Sequence, residues 1–376
     1  MILLFLIPIV LGCSSRQDAG VRSDPIRSLE EWNALGRKDP VRNIVCSGSG
    51  ALRLISYLEC SERVIAVEQT EKSESGFAPY RAVHPEYGKL PVFGEGHGRD
   101  NVEFLLTGNP KPDLIVRIDN PGSGLDPGIL QERTGIPVVL IPYGDLGRDR
   151  PLFDRSLRLL GSILGKSDRA ESVIAFMDSQ IADLDRRTRG ISPEQSPTVY
   201  LGGLSYRGSH GINSTSTEYP PFDWLHLKNP ASSLRSGSIR GYHAMISKEQ
   251  IVFWNPDYIF IDLGTLGLDQ ANGWLEKKDQ NVYQNIKAVK QDRIYGLYPN
   301  NSYNTNFEAM IANGWFIGKT VFPDQFQDIQ LDEKIRNIFD FILGDPFIPV
   351  CPAPLKSKVY KPIYKNNQTN REESGS

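Results

Sequence analysis

One loop of the sequence concentrates side chains that are well suited to hold a ligand. Residues 206–211 read Tyr-Arg-Gly-Ser-His-Gly and place an aromatic ring, a cation and an imidazole among glycines. An arginine fork binds carboxylate or catecholate oxygens in pairs. A tyrosine stacks on a flat ring system or binds iron as a phenolate, and a histidine serves as an axial ligand of iron or cobalt. We therefore predict ligand contacts from Tyr206, Arg207 and His210; a glycine-rich turn with solvated side chains is the alternative.

Other predicted loops carry similar side chains. Tyr303 lies in a polar run, Tyr80 stands beside Arg81, and His97 is flanked by glycines. We predict all four residues as additional ligand contacts. The 5 histidines of the chain share no spacing typical of a metal site, and no Cys-x-x-Cys pair is present. The sequence therefore leaves the identity of any bound metal open.

The sequences that resemble enzyme motifs each lack a required residue. Residues 203–207 approach the nucleophile motif G-x-S-x-G, but Arg207 stands where the second glycine is needed. Residues 47–50, Ser-Gly-Ser-Gly, follow a predicted strand but lack the Gly-Lys-Ser/Thr ending of a phosphate-binding loop. Neither sequence completes an enzyme motif, so we predict no catalytic residues; a secreted hydrolase and a ligand sensor are kept as alternatives.

Composition limits the class of protein. The chain has 376 residues, a net charge of −3 and a mean hydropathy of −0.34. At roughly 150 residues per domain, this length predicts two domains and some additional chain. The apolar content excludes wholesale disorder, and the mean hydropathy excludes a protein with many membrane spans. Without a basic surplus, nucleic acid is not an expected partner.

The elements that position these loops alternate between strands and helices. Continuous apolar runs predict buried parallel strands, so the fold class is α/β. Predicted strands lie at 43–46, 63–67, 113–118, 137–142, 198–201, 257–261 and 293–297. Predicted helices lie at 51–60, 125–133, 248–254, 305–319 and 332–343. Ligands of open α/β sheets bind at the carboxyl ends of the strands, where the loops named above lie.

In the middle of the chain, the apolar residues recur with the period of a helix. Apolar residues recur every three or four positions between 151 and 190, and proline is absent from 152 to 191. We predict one helix of about 35 residues, about 50 Å long, that crosses from an N-terminal lobe (41–150) to a C-terminal lobe (191–345). Gly161 and Gly165 are positions where it can bend or break. We predict a C-terminal tail at 346–376 whose last dozen residues are disordered.

The two lobes repeat one pattern. Glu103 opens a short apolar helix that is followed by Pro-Asp and a buried strand, and Glu249 opens a second such unit. Pro-Asp alone is common, but the whole unit in both halves indicates two related lobes.

The N-terminus is predicted to be an export signal. Residues 1–11 are all apolar, too few to span a bilayer as a helix but typical of a signal peptide. The run Val10-Leu11-Gly12-Cys13 resembles a bacterial lipobox, although no Lys or Arg precedes it. We predict a signal at 1–12, lipidation of Cys13 and a polar tether at 13–40. A buried strand with a chance cysteine is the alternative.

The remaining cysteines do not indicate a framework of disulfide bonds. Cys46, Cys60 and Cys351 are odd in number, so at most one disulfide can form among them. Free buried thiols are the simplest interpretation.

In this order, the elements resemble the helical-backbone substrate-binding proteins of ABC importers, which carry iron-siderophores, haem or cobalamin. The resemblance covers roughly residues 40–345. Each of its motifs alone is weakly specific, but their order along the chain is specific. Those motifs are Asn-Ile-Val-Cys-Ser-Gly-Ser-Gly at 43–50, Arg-Val-Ile-Ala-Val at 63–67, Gly-Ile-Pro-Val-Val at 135–139, Met-Ile-Ser-Lys-Glu-Gln with Asn-Pro-Asp-Tyr-Ile-Phe at 245–260, and Tyr-Pro after the strand at 293–297.

The resemblance implies two Rossmann-like lobes with central parallel sheets, joined by one long backbone helix that limits closure. It implies a ligand cleft between the lobes, no permanently bound cofactor, and delivery to an ABC permease and its ATPase. The family's docking glutamates fall on Glu103 and Glu249, where they can address arginines of the permease; helix-dipole stabilisation is the alternative role. We expect a monomer, lipid-anchored in the periplasm or at the cell surface. Tyrosine and arginine outnumber histidine in the loops, so we favour an iron chelate of the siderophore type over haem or cobalamin.

Overall fold

A computed structural model describes residues 24–73, 77–205, 208, 210–234, 243–265, 280–344 and 356–363. The first half of the chain forms a five-stranded parallel sheet in the order β3-β2-β1-β4-β5. Its strands are β1 (Ile44–Ser47), β2 (Val64–Glu68), β3 (Val92–Gly94), β4 (Leu114–Ile118) and β5 (Val138–Ile141). Its helices are α1 (Leu29–Ala34), α2 (Ala51–Tyr57), α3 (Pro79–Val83), α4 (Val102–Thr107) and α5 (Pro127–Thr134). We call this sheet and its helices lobe one.

Two further helices, α6 (Arg150–Leu164) and α7 (Ser167–Thr188), precede a second parallel sheet. That sheet has the order β10-β9-β6, and β7 pairs with β8 in a separate antiparallel ladder. The strands are β6 (Val199–Gly202), β7 (Ser214–Ser216), β8 (His243–Met245), β9 (Tyr258–Asp262) and β10 (Ile294–Leu297). The helices are α8 (Pro220–Trp224), α9 (Lys248–Trp254), α10 (Gln280–Tyr283), α11 (Lys287–Lys290), α12 (Phe307–Val321) and α13 (Leu331–Leu343). We call this part lobe two.

Burial explains the continuous apolar runs. Every residue of β1, β4, β5 and β6 is buried, because helices and loops cover both faces of each sheet. The predicted α/β class with parallel sheets is therefore confirmed. Within the described residues, no helix is both long enough and apolar enough to span a membrane.

The crossing helix is shorter than predicted. Gly165 adopts a left-handed conformation with φ of 70° and ends α6, and Lys166 leads directly into α7. The two helices run antiparallel, since Arg158 pairs with Glu171 while Arg150 reaches Asp178 farther along. The span 151–190 is thus a helical hairpin. A two-residue reversal leaves the apolar spacing almost undisturbed, so periodicity alone predicted one helix.

Helix α7 makes the connection between the lobes. Its 22 residues extend about 33 Å. Near its start, the Arg169 side chain donates to the Tyr57 carbonyl of lobe one at 2.9 Å and to the Phe341 carbonyl of lobe two at 2.6 Å. Near its end, Arg187 pairs with Asp328 of lobe two at 2.6 Å.

The aspartate of each Pro-Asp pair makes the same two hydrogen bonds to the neighbouring strand of its sheet. In lobe one, Asp113 accepts from the Asn43 N–H through its carboxylate and donates its own N–H to the Asn43 carbonyl, at 2.9 and 2.8 Å. In lobe two, Asp257 makes the equivalent pair of bonds with Thr198, also at 2.9 and 2.8 Å. Each aspartate therefore aligns the start of its own strand with that of the neighbouring strand.

The segment predicted as a tether is partly built into lobe one. Ile26 is 3% exposed and bridges β5 by accepting from the Leu140 N–H and donating to the Val138 carbonyl, both at 2.8 Å. Helix α1 follows with a Ser28–Glu31 capping box. The sequence did not reveal this because a single paired residue has no periodicity. Residues 1–23, including Cys13, lie outside the described residues.

Part of the predicted tail also packs on the fold. Tyr360 N–H donates to the Gly296 carbonyl at 2.9 Å, and Ile363 N–H donates to the Ile294 carbonyl at 2.9 Å. Val359 is 7% exposed. Residues 356–363 therefore cover the edge of β10, whereas the last dozen residues, 365–376, which were predicted to be disordered, lie outside the described residues.

Replacing Ile26 tests whether the N-terminal segment belongs to the fold. We expect Ile26→Ala to lower the free energy of unfolding by about 2–3 kcal/mol, because it removes buried apolar surface and leaves a cavity. Urea denaturation measures this change. The control Leu29→Ala, at a position 41% exposed, should change stability by less than about 0.5 kcal/mol. Equal effects of the two substitutions would contradict the packing of this segment.

Candidate functional site

A cleft of about 1010 Å³ opens between the two lobes at the carboxyl ends of the strands. Segments that follow β1, β2, β3, β4 and β5 form one wall, and loops that follow β6, β9 and β10 form the other. The lining residues are Gly48, Ser49, Phe77, His97, Gly98, Arg117, Ile118, Asp119, Asn120, Ser123, Tyr143, Ser205, Gly208, Gly264, Asn301, Ser302, Tyr303 and Asn304. Sheet topology thus collects polar side chains from both halves of the sequence at one place.

A buried arginine joins the lobes beside the cleft. Arg53 of α2 is fully buried and donates to the Tyr143 hydroxyl at 2.6 Å. The same guanidinium donates to the Ser302 carbonyl at 2.8 Å and to Asn306 Oδ1 at 2.7 Å, both in lobe two. Glu308 is also buried and accepts a hydrogen bond from the Tyr57 hydroxyl. These bonds fix residues 302–308 of lobe two against α2.

Tyr303 reaches from lobe two onto the floor of lobe one. Its hydroxyl donates to Glu68 Oε2 at 2.8 Å and accepts from the His97 N–H at 2.7 Å. The His97 and Tyr303 rings meet edge to face at 5.1 Å, and Ser49 Oγ lies 3.1 Å from His97 Nδ1. Asn304 donates to the Ser49 carbonyl at 2.8 Å. The two predicted contacts Tyr303 and His97 are therefore adjacent in the cleft.

Two carboxylates at strand ends titrate far from their ordinary range. Burial raises the pKa of Glu68, the last residue of β2, to about 7, although the Gly48 N–H and the Tyr303 hydroxyl oppose the rise. Burial likewise raises the pKa of Asp262, the last residue of β9, to about 7. Asp262 accepts from the Asn300 and Gly264 N–H groups at 2.8 and 2.9 Å. Both carboxylates hold loops of the cleft.

The cation in the described lining is paired. Arg117 of β4 is 3% exposed and donates to Asp100 Oδ2 at 2.8 Å and to the Ser123 carbonyl at 2.8 Å. Asp100 also accepts from Ser47 Oγ at 2.6 Å. Burial raises the pKa of Asp100, while Ser47 and Arg117 counteract this. Neither Arg117 nor Glu68 was predicted as a site residue, because both lie within apolar strands and not in the loops.

The other predicted contacts lie in different surroundings. Tyr80 is fully buried, its hydroxyl donates to Glu71 at 2.5 Å, and it is not among the residues that line the cleft, so its role as a ligand contact stays a prediction. Arg81 donates to the Thr70 carbonyl at 3.0 Å and to Ser302 Oγ at 3.3 Å between the lobes. The His210 ring lies 5.5 Å from that of His243 in lobe two. Tyr206 and Arg207 lie outside the described residues.

The described residues contain no cluster of three or more His, Cys, Asp or Glu side chains arranged to hold a metal ion. Cys46 and Cys60 are free and buried. Burial, the largest cause, raises the pKa of the Cys46 thiol well above its usual range. Cys351 lies outside the described residues. The buried cysteines are therefore packing residues.

Both predicted docking glutamates are exposed and occupy the second position of equivalent short helices. Glu103 follows the cap Asn101, whose side chain accepts from the Phe104 N–H at 3.1 Å. Glu249 follows the cap Ser247, whose side chain accepts from the Gln250 N–H at 3.1 Å. Hydrogen bonding to its own N–H and to Ser247 lowers the pKa of Glu249. Each lobe thus presents one carboxylate to solvent in the same local setting.

The raised pKa of Glu68 predicts a pH dependence of stability. Folding raises this pKa from 4.5 to about 7, so the folded state binds more protons in that window and stability falls as pH rises through it. We expect Glu68→Gln to remove roughly 3 kcal/mol or less of this fall, measured by urea denaturation at pH 4.5 and pH 7.5. The exposed control Glu95→Gln should retain the wild-type slope. A Glu68→Gln slope that parallels the wild type would refute the assignment.

Comparison with known proteins agrees with this geometry. Residues 78–300 match the family described as "Periplasmic binding protein". The chain is similar to an uncharacterised ABC transporter substrate-binding lipoprotein, YvrC, of Bacillus subtilis, with 22% identity over 61% of this chain and 67% of that protein. It is also similar to the molybdate-binding protein MolA of Haemophilus influenzae, with 21% identity over 80% of this chain and 86% of that protein.

Solved structures share the fold. A periplasmic solute-binding protein of Veillonella parvula superposes with a TM-score of 0.64 and 19% identity, over 85% of this chain and 94% of that one. MolA bound to molybdate superposes with a TM-score of 0.62 and 18% identity, over 83% and 95%. The family match covers more than half of the chain and agrees with the two-lobed cleft and the two relatives. The chain therefore belongs to the periplasmic binding protein family, as a substrate-binding protein of an ABC transporter.

Proposed function

We propose that this protein captures an iron chelate of the siderophore type in the cleft and delivers it to an ABC permease and its ATPase. The observation that carries the proposal is a cleft of about 1010 Å³ that brings Tyr303 and His97 together. This volume lies at the upper end of the range for small-molecule sites. It is far larger than a single tetrahedral oxyanion requires and suits a metal held in an organic chelate.

The chemistry of the lining supports a chelate. Phe77 and Tyr303 supply rings for stacking, and Ser49, Asn301 and Asn304 supply hydroxyl and amide groups. Such a mixture of aromatic faces and a few polar groups orients an organic ligand without requiring a net charge. Arg81 and His210, and the undescribed Tyr206 and Arg207, remain proposed contacts from the lobe boundary and lobe two.

Haem is a second candidate ligand, and one observation favours it. His97 is exposed, lines the cleft and has a left-handed backbone with φ of 53°. An imidazole in this position has the chemistry of an axial ligand to haem iron or to the cobalt of cobalamin. An iron chelate remains the first candidate because Tyr303 lies next to His97 and supplies a phenol oxygen.

Absorbance and binding titration test the ligand. Protein purified from its host should show a visible charge-transfer band of a ferric chelate, whereas a Soret band would identify haem. We expect Tyr303→Phe to weaken binding of that ligand about tenfold or more, since it removes the hydroxyl that holds the His97 loop. Tryptophan fluorescence quenching measures the affinity.

The matched control for this titration is Tyr295→Phe, which changes a lobe-two tyrosine outside the cleft lining and should leave affinity unchanged. Equal affinities for Tyr303→Phe and the wild type would place the ligand away from Tyr303. Absence of any bound ligand or of binding to ferric chelates would refute the iron-chelate function.

We propose that the protein docks on the permease through Glu103 and Glu249. We also propose that lipidated Cys13 anchors the protein to the membrane. Two carboxylates in equivalent settings, one per lobe, can address a pair of permease arginines and fix the register of docking. We expect the double variant Glu103→Lys and Glu249→Lys to abolish uptake of labelled ligand by cells, because each attraction becomes a repulsion. Ligand affinity of the purified protein should be unchanged.

The control reverses two other exposed carboxylates, Glu132 of lobe one and Glu333 of lobe two, and so makes the same change in net charge. This control should transport normally. Normal uptake by the Glu103 and Glu249 variant would exclude their docking role, and equal loss in both variants would indicate a general charge effect.

A further inference from the structure

The protein itself occupies the backbone donors on the lobe-one floor of the cleft. The Gly48 and Gly98 N–H groups both donate to Glu68 Oε1, at 2.9 and 3.4 Å. The neighbouring His97 N–H donates to the Tyr303 hydroxyl at 2.7 Å, and that hydroxyl donates to Glu68 Oε2. Backbone N–H groups that converge in glycine-rich loops form concave anion sites. Here a carboxylate of the chain fills the position that a ligand anion would take.

The guanidinium on the same floor is satisfied in the same way. Arg117 pairs with Asp100 at 2.8 Å, and the side chains of the two residues are 3% and 0% exposed. If an anion displaced Asp100 from Arg117, the carboxylate of Asp100 would stay buried without a partner, which is strongly unfavourable. Ser47 and the Ser123 carbonyl complete the shell of this pair. The described floor therefore offers neither free converging amides nor an unpaired guanidinium to an incoming anion.

We propose that Glu68 and Asp100 determine specificity by excluding small free oxyanions, such as molybdate, sulfate and phosphate, from the cleft. An oxyanion that reached Gly48 and Gly98 would have to displace the buried Glu68 carboxyl group from its hydrogen bonds, and above about pH 7 it would also remain beside a negative charge. The cleft then selects a metal chelate of little net negative charge, which binds through hydroxyl, amide and ring contacts. The chelate part of this inference rests on the proposed function, whereas the exclusion of oxyanions does not.

Isothermal titration with sodium molybdate tests the exclusion. Wild-type protein should show no binding at millimolar molybdate. We expect Glu68→Ala, which frees the amides of Gly48 and Gly98, to bind molybdate at least about tenfold more tightly than the wild type. Asp100→Asn keeps an acceptor for Ser47 but releases the charge of Arg117, and it should gain affinity in the same direction.

The matched control is Glu95→Gln, which removes a carboxylate that is 75% exposed in the neighbouring loop and should gain no affinity. Circular dichroism verifies the fold of each variant. Tight molybdate binding by the wild type would overturn the proposal. This outcome does not depend on the variants, so the proposal can still be refuted if a substitution at a buried position prevents folding. A folded Glu68→Ala and a folded Asp100→Asn that both gain no affinity would also overturn it.

A second titration with a neutral ferric tris-hydroxamate and an anionic ferric tris-catecholate separates this inference from the proposed function. Preference for the neutral chelate together with no molybdate binding supports both. If neither chelate binds while molybdate remains excluded, the iron-chelate function fails and the exclusion stands. If molybdate binds to the wild type, the exclusion fails whatever the chelates do.

Discussion

The arrangement of the cleft depends on one buried cation. Arg53 of lobe one is fully buried, and it bonds to Ser302 and Asn306 of lobe two. Burying a guanidinium is costly unless acceptors meet its donors, and for Arg53 the bonds of the two terminal nitrogens offset this cost although Nε has no partner. The loop that supplies those acceptors therefore cannot move away without exposing an unsatisfied charge. Tyr303 lies in this loop, so its position on the floor of lobe one follows from the same constraint.

This constraint shapes what the cleft can recognise. Helix α7, about 33 Å long, connects the lobes, and the Arg53 network holds them together at one side. On the lobe-one floor of the cleft, the strongest donors already have partners within the protein: the Gly48 N–H donates to Glu68, and the Arg117 guanidinium donates to Asp100. Under the proposed function, recognition falls to the ring, hydroxyl and amide groups around the floor, such as those of Phe77, Ser49 and Asn304. A ligand that needs many weak directional contacts fits this design better than one that needs a single strong charge pair.

The accuracy of the sequence predictions varied with the range of the interactions involved. Helix α9 was predicted with its observed ends, since its cap and its apolar spacing are local. The sequence marked Gly165 as a position where the helix can break, but the apolar spacing could not show that the chain reverses there, because an amphipathic pattern does not change when the chain folds back in two residues. Tyr80 was chosen for its chemistry and its loop, but its burial depends on contacts with α2, which no local pattern reports. Ile26 pairs with a strand more than a hundred residues away.

The sequence by itself determined the α/β class, the order of the elements and the repeat of the two lobes. Strand burial and the repeated unit that contains Pro-Asp are encoded within short windows, so local patterns of residues are enough to find them. Only the tertiary structure decided which polar residues share the cleft and which of their groups are already satisfied. Tyr303 and Glu68 are 235 positions apart, and their contact exists only because two sheets and a helix hairpin bring the strand ends together. Whether a donor is free to bind a ligand depends on every neighbour it meets in space, and that information is spread over the whole chain.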